Sequence, residues 1–123
     1  MLMIKDFYDL NAWKESHKLT CLIYRLVKNF PDYERYGITD QLRRASSSVT
    51  ANIAEGCGRN TNKDKKNFFY LARGSIKEVQ SFLILAKDLD YITPQNFNDY
   101  WKQSKISEML ISGLIRSLSR QSK

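Results

Sequence analysis

Residues 41–60 read QLRRASSSVTANIAEGCGRN, and this stretch decides the fold. At helical spacing, small and apolar side chains share one face of it, namely Leu42, Ala45, Ser46, Val49, Asn52 and Ile53. Neighbouring helices can approach closely where the side chains are small, and we therefore predict the central helix of a bundle; the small residues are Ala45, Ser46, Ser47, Ser48, Ala51 and Ala54. Gly56 is placed to end this helix in the left-handed conformation, which glycine adopts at little cost.

Helical spacing of apolar residues recurs in three further segments, and no segment alternates as a half-buried strand would. The predicted helices cover residues 12–29, 40–55, 63–89 and 94–118. Candidate capping residues precede them, namely Asn11, Thr39, one of Asn60, Thr61 and Asn62, and Thr93 followed by Pro94. Four helices with short connections predict an all-α, antiparallel up-and-down four-helix bundle, in one domain over residues 1–123.

The third predicted helix has the most regular apolar stripe, which consists of Phe68, Leu71, Ala72, Ser75, Ile76, Val79, Leu83 and Ala86. Gly74 and Ser75 lower its helix propensity, which predicts close packing against the small residues of the second helix. On the fourth helix, Ile106 and Met109 fall on the side away from the core stripe. A monomer would leave them in water, so we predict a homo-oligomer with these two residues at its interface.

The composition excludes several classes of site. Cys21 and Cys57 match neither a zinc site nor a redox pair, and His17, the one histidine, excludes a di-iron bundle. Gly56 and Gly58 follow a predicted helix, whereas a dinucleotide-binding glycine motif follows a strand. No pairing of a nucleophile with a base and no phosphate-binding loop is recognisable, so we expect no enzyme activity, no cofactor and no metal.

The start of the chain and its apolar runs bear on location. No run of about eighteen apolar residues occurs, and charge appears at Lys5 and Asp6, before a signal-peptide apolar region could form. We therefore expect a cytoplasmic protein without a membrane span.

The net charge of +7 is unevenly distributed. Residues 1–42 sum to zero and residues 78–123 to +1, which leaves +6 in residues 43–77. Such a field suits a polyanion, although a merely soluble basic surface would also account for it. The predicted nucleic-acid-binding residues are Arg59, Lys63, Lys65, Lys66, Arg73 and Lys77. Because they are phosphate-contacting rather than base-reading types, we expect salt-dependent RNA binding with low sequence specificity.

The second helix also carries polar residues for which a structural role is the better interpretation. Arg44 and Glu55 share a face but lie roughly 16 Å apart along the axis, too far for a direct ion pair. Each then needs another partner, from another helix or from an antiparallel copy. Arg43, about 100° from Arg44, is assigned a similar structural or interface role, and Asn52 is expected to satisfy neighbouring polar groups.

Several short motifs carry a resemblance to a known family. They include Trp13, Phe30 with Pro31, QLRRA at residues 41–45, NIAEG at residues 52–56, and Gly74 with Ser75. With these, the chain resembles the bacterial four-helix-bundle family typified by the 23S ribosomal RNA intervening-sequence protein. It departs from that pattern at Val49, where isoleucine is usual, at Cys57 inside the glycine turn, and at Asp90, where glycine is usual.

The resemblance implies an intracellular, non-enzymatic bundle. Relatives, including the accessory protein of diversity-generating retroelements, form pentameric barrels with a basic surface and are tied to structured RNA or to a reverse transcriptase. Two hypotheses result. The first is a homo-oligomer, by resemblance a pentamer, that binds RNA or another nucleic acid. The second is a protein-interaction scaffold that docks a partner such as a nucleic-acid-processing enzyme.

Overall fold

The computed structural model describes residues 6–121, and these form four long helices without a strand. The helices are α1 (Asn11–Leu26), α2 (Ile38–Cys57), α3 (Asn62–Asp88) and α4 (Pro94–Gln121). Short 3₁₀ turns lie at Phe7–Asp9, Val27–Asn29 and Asp32–Glu34. Within this part of the chain, each long helix contacts two others in the cyclic order α1, α2, α3, α4, and diagonal helices do not touch. The predicted four-helix bundle is confirmed.

Two predicted caps are present and two are wrong. The hydroxyls of Thr61 and Thr93 accept hydrogen bonds from the third amide beyond each, both at 3.1 Å. Asn11 and Thr39 do not cap, because the preceding 3₁₀ turns carry the chain into α1 and α2 earlier than predicted. Thr39 is instead buried in the first turn of α2, and the Ile38 amide donates to Glu34 Oε1 at 3.4 Å.

Gly56 does not end α2 in a left-handed conformation. No described glycine has a positive φ, and α2 continues to Cys57. Gly56 is buried against α3, where an added Cβ would lie 2.7 Å from Cε1 of Phe69. Its missing side chain therefore permits close helix packing. The left-handed residue occurs at Asp90, with φ of 61°, where glycine was noted as usual.

The core stripe of α3 differs from the predicted one at its start. Phe69 is buried, whereas Phe68 is only half-buried and Leu71 is 56% exposed. The buried positions follow alternating steps of three and four residues, namely Phe69, Ala72, Ile76, Val79, Leu83 and Ala86. Leu71 adjoins Ala72 and so points about 100° away from that stripe.

Close packing of α3 on α2 was predicted for both Gly74 and Ser75, and only Ser75 shows it. The Ser75 hydroxyl donates to Ser48 Oγ at 3.0 Å, and the Asn52 amide reaches the same oxygen at 3.1 Å. Gly74 is exposed, and a Cβ placed there would meet nothing within 4 Å. The Asn52 amide also donates to the Ser48 carbonyl at 2.9 Å, so its side chain bonds to one residue of its own helix.

The described residues also bear on membranes and metals. None of their helices is both long and apolar enough to cross a bilayer. Among residues 6–121, no cluster of three or more histidine, cysteine, aspartate or glutamate side chains is arranged to hold a metal ion.

A candidate nucleic-acid interface on α3 and α4

The predicted cations of α3 lie along its border with α4. Arg73 donates to the Ser112 hydroxyl of α4 at 3.3 Å, and Lys77 Nζ lies 2.8 Å from Glu108 Oε2. The side chain of Lys77 remains 58% exposed. These contacts hold the charged ends of both side chains against α4.

Lys63 and Lys66 lie on the same face of α3 and are open to an outside partner. Steps of three, seven and four residues connect Lys63, Lys66, Arg73 and Lys77, so all four fall within about 80° of arc. Within residues 6–121, neither Lys63 nor Lys66 forms an ion pair. Their charges are therefore available for phosphate groups.

Lys65 and Arg59 are placed differently from this row. Lys65 donates to the Cys57 carbonyl at 3.3 Å and so turns toward the end of α2. Arg59 pairs with Glu55 at 2.9 Å, and its guanidinium lies 4.6 Å from the Phe68 ring centroid. Arg59 precedes the row in the chain, and its charge is paired with that of Glu55.

The remaining charges of α2 also find partners close by. Arg44 pairs with Asp40 at 2.9 Å, and Arg43 lies 4.0 Å from the other oxygen of the same carboxylate. Both pairs lie within one turn of α2. The partners expected from another helix or a second copy are thus supplied locally, and a role of Arg44 and Glu55 in subunit registry stays a prediction.

A second row of cations lies on α4 and was missed in the sequence. The exposed side chains on its outer face are Lys102, Lys105, Arg116 and Arg120. They fall within about 60° of arc around the helix. The net charge of the segment did not indicate this row, because the charges of residues 78–123 sum to only +1. A helical projection of α4 reveals the row, because its acidic residues Asp99 and Glu108 flank the four cations on either side, each about 60° from the edge of the row.

The two rows form one surface. Antiparallel packing sets Arg73 beside Ser112 and Lys77 beside Glu108, so the outer face of α4 borders the row on α3. We call this surface the basic face, and it consists of Lys63, Lys66, Arg73 and Lys77 of α3 with Lys102, Lys105, Arg116 and Arg120 of α4. Eight cations therefore lie on two adjacent helices.

Glu108 is the carboxylate that joins the two rows. Its side chain is 18% exposed and receives bonds from Lys77 at 2.8 Å, Gln80 at 3.0 Å and Lys105 at 3.1 Å. Burial alone would raise the pKa of Glu108, but the bonds from these three donors lower it to about 2. Glu108 is therefore ionised at neutral pH and holds a lysine from each row in position.

The predicted interface residues of α4 are near this face. Met109 is 61% exposed and lies among the α4 cations, whereas Ile106 is half-buried. Burial of Met109 against a second copy would bring like charges together, which opposes association.

The basic face also has an aromatic ring, that of Tyr70 on α3. Tyr70 is 46% exposed, and the Arg73 guanidinium lies 5.3 Å from its ring centroid.

Comparisons with known proteins give a family match and, separately, a solved structure of similar fold. A family model described as 23S rRNA-intervening sequence protein matches residues 8–112. A crystal structure from Bacteroides thetaiotaomicron, of a protein with unknown function from the S23 ribosomal protein family, superposes with a TM-score of 0.76. It is 21% identical, and the alignment covers 85% of this chain and 97% of that one. The comparison with curated proteins gives no match.

Proposed function

This chain belongs to the 23S rRNA-intervening sequence protein family, and on that premise we propose that it binds RNA through the basic face as a non-enzymatic homo-oligomer. The observation that carries the proposal is the joining of two cation rows on adjacent helices around a single carboxylate, Glu108. Such a surface concentrates positive potential where a phosphate backbone can approach it from solvent.

The dimensions of the basic face suit a backbone rather than base edges. Lys66 and Lys77 are separated by roughly 16 Å along α3, and Lys102 and Arg120 by roughly 27 Å along α4. The two rows lie about one interhelical distance apart, 8–10 Å. Lysines on a convex surface neutralise phosphates without reading a base pattern, so recognition depends on the shape of the RNA.

The absence of catalysis is part of the proposal. Burial raises the pKa of the Cys57 thiol, which keeps this sulfur protonated and a poor nucleophile at neutral pH. Incubation of the protein with structured RNA and with general hydrolase substrates tests this. Turnover that disappears when one polar side chain is replaced would contradict a purely binding role.

We also propose that the subunits associate through a face of α3 other than the basic one. Leu71 and Leu85 are 56% and 43% exposed and fall within about 40° of arc on α3, and Leu89, which is 45% exposed, follows directly after its last residue. We call these three residues the leucine face. Association there leaves the basic face open and repeats it around the assembly, in a pentamer if this protein follows the relatives that it resembles. Avidity then replaces sequence reading.

The decisive experiment combines light scattering with RNA binding by anisotropy at about 50 and 200 mM salt, where phosphate contacts lose affinity steeply. The test variant is K66E/K77E/K102E/R116E, and the control is K14E/K18E, two exposed lysines of α1. We expect the basic-face variant to lose at least about tenfold in affinity at the lower salt concentration, with the control near wild type. Equal affinities of the two variants would contradict the proposal.

A separate pair of variants tests the assembly. L71K/L85K is expected to reduce the solution mass, whereas M109K is expected to leave it unchanged because Met109 lies among cations. If M109K lowers the mass and L71K/L85K does not, the interface lies at Ile106 and Met109, as predicted from the sequence.

The leucine face also supports the second hypothesis, a scaffold that docks a partner protein such as a nucleic-acid-processing enzyme. A monomeric mass would leave that face free for such a partner. Binding of RNA by the bare protein distinguishes the two hypotheses, since a scaffold requires its partner to be present.

A further inference from the structure

A cleft lies where the connector between α1 and α2 turns. Its volume is about 430 Å³, and its charged lining residues are Lys28, Arg35, Arg43 and Asp32. Its remaining walls are formed by Val27, Phe30, Pro31 and Thr39. We call it the connector cleft. The connector cleft shares no lining residue with the basic face, because it is lined by the end of α1, the connector and the start of α2.

The charges of the connector cleft favour an anion. Within residues 6–121, neither Lys28 nor Arg35 forms an ion pair. Arg43 lies 4.0 Å from Asp40, whose other oxygen is held by Arg44 at 2.9 Å. The connector cleft is thus lined by three cations and one carboxylate, that of Asp32. A phosphate group relieves the repulsion among the cations and accepts their hydrogen bonds.

Two tyrosines beside the cleft are unusually open to solvent. Tyr33 is 80% exposed and Tyr36 is 84% exposed. The Arg35 guanidinium, which lines the cleft, lies 5.6 Å from the Tyr36 ring centroid. Exposed aromatic rings next to arginine are the surfaces on which unpaired bases stack. The cleft therefore combines a site for phosphate with a site for a base.

The connector that carries these groups is held in place. Glu34 accepts from the Tyr91 hydroxyl at 2.8 Å and from the Ile38 amide at 3.4 Å. The Tyr33 hydroxyl lies 3.2 Å from that of Tyr91, whose pKa is raised by its hydrogen bonds with Tyr33 and Glu34. Tyr91, in the connection between α3 and α4, thereby fixes the connector between α1 and α2. A connector that is already ordered loses less conformational entropy when a ligand binds.

A second depression extends the cleft along α1. It has a volume of about 420 Å³ and is lined by Thr20, Cys21, Tyr24, Arg25 and Lys28. Lys28 lines both depressions, so they adjoin at its side chain. Arg25 adds another cation, and Tyr24 adds another ring, which is 44% exposed. From Thr20 to Lys28 the second depression adds roughly 12 Å along α1.

We propose that the connector cleft binds single-stranded nucleic acid, with a phosphate held by Lys28, Arg35 and Arg43 and an unpaired base stacked on Tyr36. The site goes beyond the proposed function, because it recognises unpaired bases and shares no lining residue with the basic face. A free nucleotide offers the same chemistry, but the continuation along α1 favours a strand.

The test uses the full chain with a labelled oligouridylate of about ten nucleotides and a labelled RNA duplex. The variant Y36A removes a ring that is 84% exposed and lies 5.6 Å from the Arg35 guanidinium. The control is Y8A, since Tyr8 is 50% exposed and lies outside the cleft. We expect Y36A to weaken single-strand binding about tenfold, and to leave duplex binding unchanged. A single-strand affinity equal to that of Y8A would overturn the proposal.

Two further arms identify the source of the ligand and separate this site from the basic face. Uridine 5′-monophosphate, titrated by calorimetry, supports a free nucleotide as the ligand if it binds wild type and not Y36A. If only the oligonucleotide binds, a strand is supported. The charge variant K28E/R35E should weaken single-strand binding as strongly as Y36A does. If K66E/K77E/K102E/R116E alone abolishes single-strand binding, the connector cleft is not the site.

Discussion

The two sides of α3 are built on different principles. Its side toward α2 is packed by small groups, with Gly56 against Phe69 and the hydroxyls of Ser48 and Ser75 bonded at 3.0 Å. Its side toward α4 is connected by long polar side chains that converge on Glu108. The first contact depends on shape and tolerates no added atoms, whereas the second depends on charge.

This difference separates the residues that hold the fold from those that can serve a function. Charged side chains at the α3–α4 border keep contact with water and contribute little to stability, so they can exchange partners. Close-packed groups at the α2–α3 border contribute through burial and cannot. Substitutions on the two sides should therefore change the unfolding free energy by different amounts, and only those at the α3–α4 border should have an effect that depends on pH.

Replacement of Phe69 by alanine should cause the largest loss. Its ring is 3% exposed and fills the space that Gly56 opens, so the variant should lose about 3–5 kcal/mol of unfolding free energy. Chemical denaturation measures this loss. F68A serves as the control because Phe68 is only half-buried, and a larger loss in F68A would mean that the helix contact has been assigned to the wrong ring.

Replacement of Gly56 by alanine should cause the next largest loss. The added methyl group would lie 2.7 Å from Phe69 Cε1 and 3.1 Å from Phe68 Cβ, so one of the helices must shift. Overpacking of this kind costs about 1–3 kcal/mol, which exceeds the gain in helix propensity. A denaturation midpoint above that of wild type would show that the α2–α3 contact is not limited by shape.

The same contrast explains which contacts of α3 could be predicted from the sequence. Small residues at helical spacing predicted the α2–α3 contact, and threonines before α3 and α4 predicted their caps. Phe69 was left out of the stripe because Phe68 and Phe69 are adjacent, and only packing selects which ring is buried. Gly56 was predicted to end α2. A glycine can serve either to adopt a positive φ or to let another helix approach closely, and residue type alone does not distinguish the two roles.

The basic face could be predicted only in part. The high net charge of residues 43–77 indicated the row on α3. The cations of α4 gave no such signal, because acidic residues of the same segment reduce the net charge of residues 78–123 to +1. The pairing of Arg44 with Asp40 was not predicted, although opposite charges four residues apart on a helix are a signal that the sequence carries. Tertiary contacts, such as Lys77 with Glu108, join residues that are far apart in sequence and leave no local signal.

Replacement of Glu108 by glutamine should cause a smaller loss, and one that depends on pH. The folded-state pKa of about 2 lies below the ordinary value of 4.5, so ionised Glu108 stabilises the fold fully above about pH 4.5. That contribution is lost as the pH falls toward 2. We expect E108Q to be less stable than wild type by about 1 kcal/mol at neutral pH.

The two proteins should converge in acid, because wild-type Glu108 is then protonated and resembles glutamine. Thermal denaturation over a range of pH values measures both limits. E78Q is the matched control, since Glu78 is exposed on α3 and makes no recorded ion pair within residues 6–121. A difference between E108Q and wild type that stays constant from neutral pH to about pH 2 would contradict the assigned ionisation.

Replacement of Gly74 by alanine should have the smallest effect, and the opposite sign. Gly74 is exposed on α3, and an added Cβ would meet nothing within 4 Å, so the variant gains helix propensity without a clash. Unfolding free energy should rise by about 0.5–1 kcal/mol. Measured beside G56A, this variant isolates packing from propensity, because both replace a helical glycine by the same residue. A loss of stability in G74A, accompanied by a lower solution mass, would mean that a second copy approaches α3 at Gly74, beside the leucine face.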